Sequence, residues 1–330
     1  MAVAGRLLGG DGPGGTDSVF LEHWLLRFVA ASAELRLIVE DFVKWLGNGR
    51  PPRATYWALK SGRLIALEKQ PRIRPVGVGE TWRWMMVKCL LRVAGPEAKP
   101  ACGTTQLAGG VEAGIEGAIH VIRVLWEEHQ MEEDWVFLLI DAHNAFDEEN
   151  RTAMLWSVWH EWPSGAQFTF NCYHHWATLV VRDTRDGSGH FLHSKEGVTQ
   201  GDPLAMIAYC IGVLPLIREI RNAHSQVTQP WYADDTGARG TFQQVLEHFR
   251  DLHARGPDRG YYPEPTNSIL VVDPGNLAQS EEHFRGLGIR VVTGYHYLGE
   301  YIGEREAEGS WVEAKIKGWT ESVAILAGVS

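Results

Sequence analysis

The chain has 330 residues, 45% apolar and 22% charged, which is ordinary globular composition and enough for one large core or two smaller ones. No apolar run approaches the roughly 20 residues that span a bilayer, and the Gly-rich Met1–Gly15 lacks a secretory signal pattern, so a membrane partner is not expected. The formal charge of −10 argues against nucleic acid only until its distribution is read. Arg50–Pro100 holds eleven basic and three acidic residues, a net of +8 that leaves −18 for the rest. A basic segment beside an acidic remainder suits a polyanion on one region and cation-binding carboxylates elsewhere, although a solvated basic helix face would give the same count.

Four widely spaced cysteines, Cys89, Cys102, Cys172 and Cys210, match neither a zinc pattern nor a disulfide scaffold. They point to a reducing, intracellular compartment, with nucleus and cytoplasm both open. The fourteen histidines show no metal spacing.

In chain order, residues 1–16 read as a flexible leader. Asp17 or Ser18 can cap a helix whose apolar positions, from Phe20 and Trp24 to Trp45-Leu46, recur every three or four residues until Gly47-Asn48-Gly49. Leu64–Glu68 and Ile73–Val78 then read as a hairpin (about 64–78). Its turn and second arm carry Lys69, Arg72 and Arg74, cations suited to closing on a triphosphate. Glu80–Val93 reads as a helix, Pro100–Gly117 as a small-residue loop, and Glu112–Glu128 as a further helix.

Trp135–Ile140 is a continuous apolar strand that delivers Asp141 at its end, where an unpaired buried charge would be costly. A turn through Phe146 and Asp147 leads to a helix from Asn150 to Trp162, which Asp147 could cap. Phe168–Tyr173 and Thr178–Asp183 read as paired strands, and His190–His193 as another. Gly197 and Gly201 permit tight backbone before a helix over Ala205–Ala223. Trp231–Thr236 is a hairpin with Asp234 and Asp235 at its tip; alone, it reads as an acidic turn. An amphipathic helix (Thr241–Arg255), a buried strand (Ser268–Val272), a hairpin of Arg290–Val292 with Tyr297–Ile302, and a helix through Trp311–Leu326 complete the pattern.

The fold class is therefore α+β, an antiparallel split βαβ sheet with helices on one face. In that topology Asp141 and the Asp234-Asp235 tip can meet.

At these residues the chain resembles the reverse transcriptases of eukaryotic retroelements, most like those of non-LTR or DIRS-like retrotransposons. The resemblance covers roughly Trp24 to Trp319. Arg72-Ile73-Arg74-Pro75-Val76-Gly77 is similar to the fingers motif, and Leu139-Ile140-Asp141 through Phe146 to the first palm motif. Gly197-Val198-Thr199-Gln200-Gly201-Asp202-Pro203-Leu204 is similar to the Gln-Gly motif, Tyr232-Ala233-Asp234-Asp235 to the Tyr-x-Asp-Asp motif, and Tyr297-Leu298-Gly299 to the primer grip. Each is weak alone; five in order carry the resemblance.

The resemblance implies a right-hand RNA-directed DNA polymerase, a nucleotidyltransferase that joins deoxynucleoside triphosphates to a DNA or RNA primer on an RNA template. It implies N-terminal helices and basic fingers over 17–134, a palm with a further fingers segment over 135–302, and the start of a thumb over 303–330. Asp141, Asp234 and Asp235 become catalytic carboxylates holding two Mg2+ ions, with Mn2+ as an alternative. Arg74 and Lys69, or else Arg72, bind the triphosphate. Phe146 is the steric gate against a 2′-hydroxyl. Gln200, Gly201 and Tyr232 line the nucleotide pocket.

Three departures accompany these motifs. Only one helix of the thumb is expected before Ser330, as in a truncated or decayed element copy or a fragment of a longer product. Asn267 stands where relatives carry a Lys thought to protonate the leaving pyrophosphate, and an amide supplies no acidic proton near neutral pH. Glu300 stands where relatives often have Gly. The competing reading is an impaired or inactive polymerase-like remnant that at most binds nucleic acid.

Overall fold

A computed structural model describes Val3, residues 10–69, 72–129, Glu132, 134–183 and 186–329, without the side chains of 69, 72, 129 and 329. In chain order its strands are β1 (Gly62–Lys69), β2 (Arg72–Gly79), β3 (Trp135–Ile140), β4 (Ala177–Arg182), β5 (Gly189–Ser194), β6 (Trp231–Tyr232), β7 (Asp235–Thr241), β8 (Ile269–Val272), β9 (Arg290–Val292), β10 (Gly294–Tyr297) and β11 (Glu300–Gly303). The chain divides into two units, each drawn from separate stretches of sequence: Met1–Val111, Asn144–Leu216 and Pro257–Tyr261 form the first, and Glu112–His143, Ile217–Gly256 and Tyr262–Ser330 the second.

The first unit holds a sheet of order β2-β1-β4-β5, in which β1 pairs antiparallel with β2 and parallel with β4. The helix Thr81–Cys102 runs well past the expected end at Val93, through Pro96 and Pro100. Burial overrides the missing proline donors, because Ala94, Ala98 and Cys102 sit in the core and the Trp162 indole Nε1 donates to the Ala94 carbonyl at 2.8 Å. The leader is not loose where it is described. The Gly14 amide donates to Glu80 Oε1 at 2.6 Å, and Thr81 Oγ1 donates to the Thr16 carbonyl at 2.6 Å.

Several local expectations change here. Phe168–Tyr173 is the last half of a helix, Pro163–Tyr173, so β4 pairs with β5 instead. Pro163 opens that helix, where its missing N–H costs nothing, and Phe168, Thr169, Cys172 and Tyr173 bury together. The stretch from Pro100 is not all loop, since Leu107–Gly110 is a short helix and another starts at Gly114. Ala205–Ala223 is two helices, Ala205–Gly212 and Leu214–Ala223, with Pro215 in the first turn of the second. Asn150, not Asp147, caps the helix Arg151–Glu161, its Oδ1 accepting from the Ala153 amide at 3.0 Å.

The second unit is a five-stranded sheet of order β6-β7-β3-β8-β9. β3 lies at its centre, antiparallel to both β7 and β8, which explains its unbroken apolar sequence. Phe137, Leu139, Ile269 and Val271 pack with Ile122, Trp126 and Ile302. The helix Phe242–Arg255 starts in a capping box, Thr241 and Gln244 satisfying each other's backbone amides. The last hairpin is β10–β11 rather than one made with Arg290–Val292, which pairs parallel to β8. The final helix is Arg305–Val329. Among the described residues, no helix is long and apolar enough to cross a membrane.

Candidate active site

In the second unit, β6 and β7 form a hairpin closed by the pair Tyr232↔Asp235, leaving Ala233 and Asp234 as its two-residue turn. Ala233 takes a positive φ of 52°, which such a tight turn demands of its first central residue. β7 also pairs with β3 through Ile140↔Thr236. Continuing that register by one residue sets Asp141 opposite Asp235, with Asp234 beside them on the turn. Two carboxylates at facing sheet positions repel, so the arrangement asks for a compensating positive charge or donor.

Asp141 is held at its amide, carbonyl and carboxylate by the segment after Tyr262. Its amide donates to Ser268 Oγ at 3.3 Å, and its carbonyl accepts from the Glu264 amide at 2.8 Å. Its carboxylate Oδ2 accepts from Asn267 Nδ2 at 2.9 Å. Asn267 therefore touches the first carboxylate of the expected set, a contact the sequence, with 126 positions between them, does not reveal. The three carboxylates are all half-buried, as are Tyr232, Tyr297 and Leu298. As donors they fit a hard divalent cation. Among the described residues, however, no group of three or more His, Cys, Asp or Glu side chains is gathered closely enough to hold a metal.

Tyr297, Leu298 and Gly299 stand at the β10–β11 turn, where Leu298 and Gly299 have φ of 50° and 93°. Tyr297 and Leu298 pack on the β3–β8 core. Glu300 follows directly and is paired with Arg123 Nη1 at 3.4 Å, an exposed contact.

The remaining expected residues belong to the first unit. Lys69 and Arg72 close the β1–β2 pairing, but their side chains lie outside the described residues; Arg74 is exposed on β2 opposite Leu67. The Gln200-Gly201 loop rests on the same strand. The Gln200 carbonyl accepts from the Gly77 amide at 2.8 Å. Gly201 has φ of 98°, and a Cβ there would lie 2.5 Å from the Gly77 carbonyl oxygen, so only glycine fits. The half-buried ring of Phe146 stacks on Tyr209, centroids 4.4 Å apart at 19°. Its carbonyl accepts from the Val198 amide at 2.6 Å.

Sequence reasoning missed three features of this loop. Asp147 is not a cap; it accepts from Gln200 Nε2 at 3.4 Å, and burial, with Glu148 adding repulsion, pushes its carboxyl up to about 6. The Asp202 side chain is buried and ion-paired with Arg83. Tyr173 Oη also donates to it at 2.6 Å. Asp147 directly follows the motif residue Phe146, whereas Arg83 lies 119 positions from Asp202 with no sequence signal linking them.

No family model and no curated protein matches the chain. Its fold is similar to solved telomerase structures. Telomerase from Candida albicans in complex with the TWJ fragment of telomeric RNA superposes with a TM-score of 0.53 at 11% identity, over 81% of this chain and 49% of that one. Apo telomerase from Candida tropicalis gives 0.52 at 11%, over 82% and 52%. The Candida tropicalis telomerase complex with the TWJ fragment gives 0.51 at 10%, over 77% and 50%. The chain thus spans about half the length of the structures it matches. At such identities the likeness is one of fold alone: a mixed α/β architecture similar to that of the telomerase chains.

Proposed function

We propose that the chain is an RNA-directed DNA polymerase domain of retroelement origin, extending a primer 3′-hydroxyl with deoxynucleotides on an RNA template. The observation that carries this reading is the pair Ile140↔Thr236, beyond which Asp141 follows β3 and Asp235 precedes Thr236 in the tight β6–β7 hairpin. The telomerase-like fold supports it, as does the telomeric RNA present in two of those neighbours.

Asp141, Asp234 and Asp235 are assigned to hold Mg2+ or Mn2+, which when bound would neutralise charge on the transferring phosphate. Asn267 orients the Asp141 carboxylate through its amide donor. Phe146, braced by Tyr209, is assigned to sugar selection. Gln200 and Gly201, with Tyr232, are assigned to the nucleotide, and Lys69, Arg72 and Arg74 to its phosphates. Tyr297–Gly299 is assigned to the primer.

The second reading is a polymerase-like chain that binds nucleic acid without chemistry. Two observations favour it: an amide on Asp141, and the absence of a three-carboxylate group among the described residues. Extension of a primed RNA template by the purified chain, with and without Mg2+, separates the two. Extension is expected only with the ion and with deoxynucleotides, and is expected to vanish in Asp141→Asn and Asp234→Asn. Full activity in either variant removes the assignment; no extension by the wild-type chain, with RNA binding intact, establishes the second reading.

A further inference from the structure

The first unit contains a cavity of about 600 Å³ that none of these roles uses. The helices Arg53–Lys60 and Pro163–Tyr173 contribute to its wall, together with the start of β4. Three cations line it, Arg50, Arg53 and Lys60, with three indoles, Trp57, Trp159 and Trp176. In a chain with 41 acidic residues against 31 basic ones, no carboxylate side chain is among its lining residues. Such a wall repels no anion and offers flat apolar faces next to fixed positive charge.

The lining is built, not loose. Trp57 Nε1 donates to Thr178 Oγ1 at 2.7 Å. Lys60 is only 5% exposed, and its ammonium donates to the His175 carbonyl at 2.6 Å. Burial brings its pKa down to about 8, still above neutrality. Phe170, His174 and His175 continue the aromatic wall, successive ring centroids lying 4.4 and 3.9 Å apart. At the rim, the Lys195 ammonium sits 4.5 Å over the Trp176 ring. The three indoles remain 54–60% exposed, so the wall leaves a contiguous stretch of large apolar surface open to a ligand.

We propose that this cavity is a binding site for single-stranded nucleic acid, in which a base stacks on the indoles while its phosphate meets Arg50 and Arg53. The ligand chemistry is an aromatic base next to a phosphate, and the volume falls in the range of roughly 300–1,000 Å³ that suits ligands of nucleotide size. A strand is favoured over a free nucleotide because the indoles are half open to solvent. A chain can enter and leave past them, and stacking platforms with basic flanks are how proteins hold single strands without reading sequence. The site shares no residue with the carboxylate set and needs no metal, so it does not depend on the polymerase reading.

The test measures fluorescence anisotropy of a short labelled oligoribonucleotide, and its deoxy counterpart, with the full chain in EDTA. Trp176→Ala and Trp159→Ala are each expected to weaken binding roughly 5- to 100-fold, the effect of losing a stacking partner. Trp176→Phe is expected to restore most of it. Arg53→Gln is expected to reduce the salt dependence by about one contact. Wild-type affinity in both alanine variants, with unchanged circular dichroism and melting, would overturn the site. Displacement of the strand by free AMP at comparable concentration would overturn the strand assignment in favour of a nucleotide. Because extension plays no part, a chain that binds through Trp176 but does not polymerise retains this site and loses only the polymerase proposal.

Discussion

At the scale of single residues, the contact that most affects the chemistry is Asn267 Nδ2 to Asp141 Oδ2, 2.9 Å. An amide orients a carboxylate but carries neither a charge to balance it nor an acidic proton. Asn267→Lys would supply both, in a position already touching Asp141. Single-turnover extension is expected to rise by about a hundredfold, the low side of what general acids contribute; an equal or slower rate discards any role for protonation at this position. Phe146 gives a second residue-scale outcome. Its ring is fixed from behind by Tyr209, and its carbonyl by the Val198 amide, so truncating the side chain removes bulk without releasing the backbone. Phe146→Val is expected to raise ribonucleotide incorporation relative to deoxynucleotides, measured by competing the two in primer extension. Unchanged discrimination would place the gate elsewhere.

Between elements, packing imposes demands that single motifs do not show. The short helix Ala145–Glu148 ends at Glu149, which is fully buried against Gly212 and whose two carboxyl oxygens have no hydrogen-bond partner among the described residues. Burial drives its pKa well above the usual 4.5, and the nearby Arg151 charge only partly opposes this. The folded chain therefore keeps this proton where the unfolded chain releases it. Its contribution is fully present below about pH 4.5 and is lost as pH rises toward the raised folded value. Glu149→Gln removes the titration while keeping the shape. In urea unfolding at several pH values, the stability difference between variant and wild type is expected to grow in the variant's favour from acid toward neutral pH. A difference that stays constant with pH would show that Glu149 is not titrating. The same level explains what could be read in advance. β3 was legible because a strand buried on both faces must be apolar throughout, and the β6–β7 hairpin because its turn chemistry is local. Phe168–Tyr173 reads as a strand because its alternating aromatic and small residues suit one equally well; burial of five of its six residues within a proline-started helix decides the matter. The Arg83–Asp202–Tyr173 fastening of the Gln200 loop was invisible, since partners separated by 119 and 29 positions meet only after folding.

For the whole molecule, charge raises the question of whether a chain at −10 can hold RNA at all. The two effects have different ranges. Repulsion from a remainder of −18 acts at a distance and is screened beyond a Debye length of about 8 Å at physiological salt. Attraction by the +8 segment, Arg50–Pro100, acts where a phosphate lies against a guanidinium or ammonium and releases a counterion at each contact. Contact therefore wins wherever the basic segment is presented to the strand. Its exposed Arg74 on β2 and the cations of the Trp-lined cavity supply several such points. Affinity for a single-stranded RNA is accordingly expected to fall steeply with salt, with a log–log slope of about −2 or steeper, since each single-strand phosphate contact adds about −0.7. Neutralising Arg50, Arg53 and Arg74 together to Gln is expected to flatten that slope by about 2. Removing the same number of charges from the acidic remainder, by Glu→Gln changes at the exposed Glu281, Glu282 and Glu313, is expected to leave the slope unchanged, because these positions contribute only the screened long-range term. A slope that responds equally to both sets would mean that net charge, not its placement, governs binding.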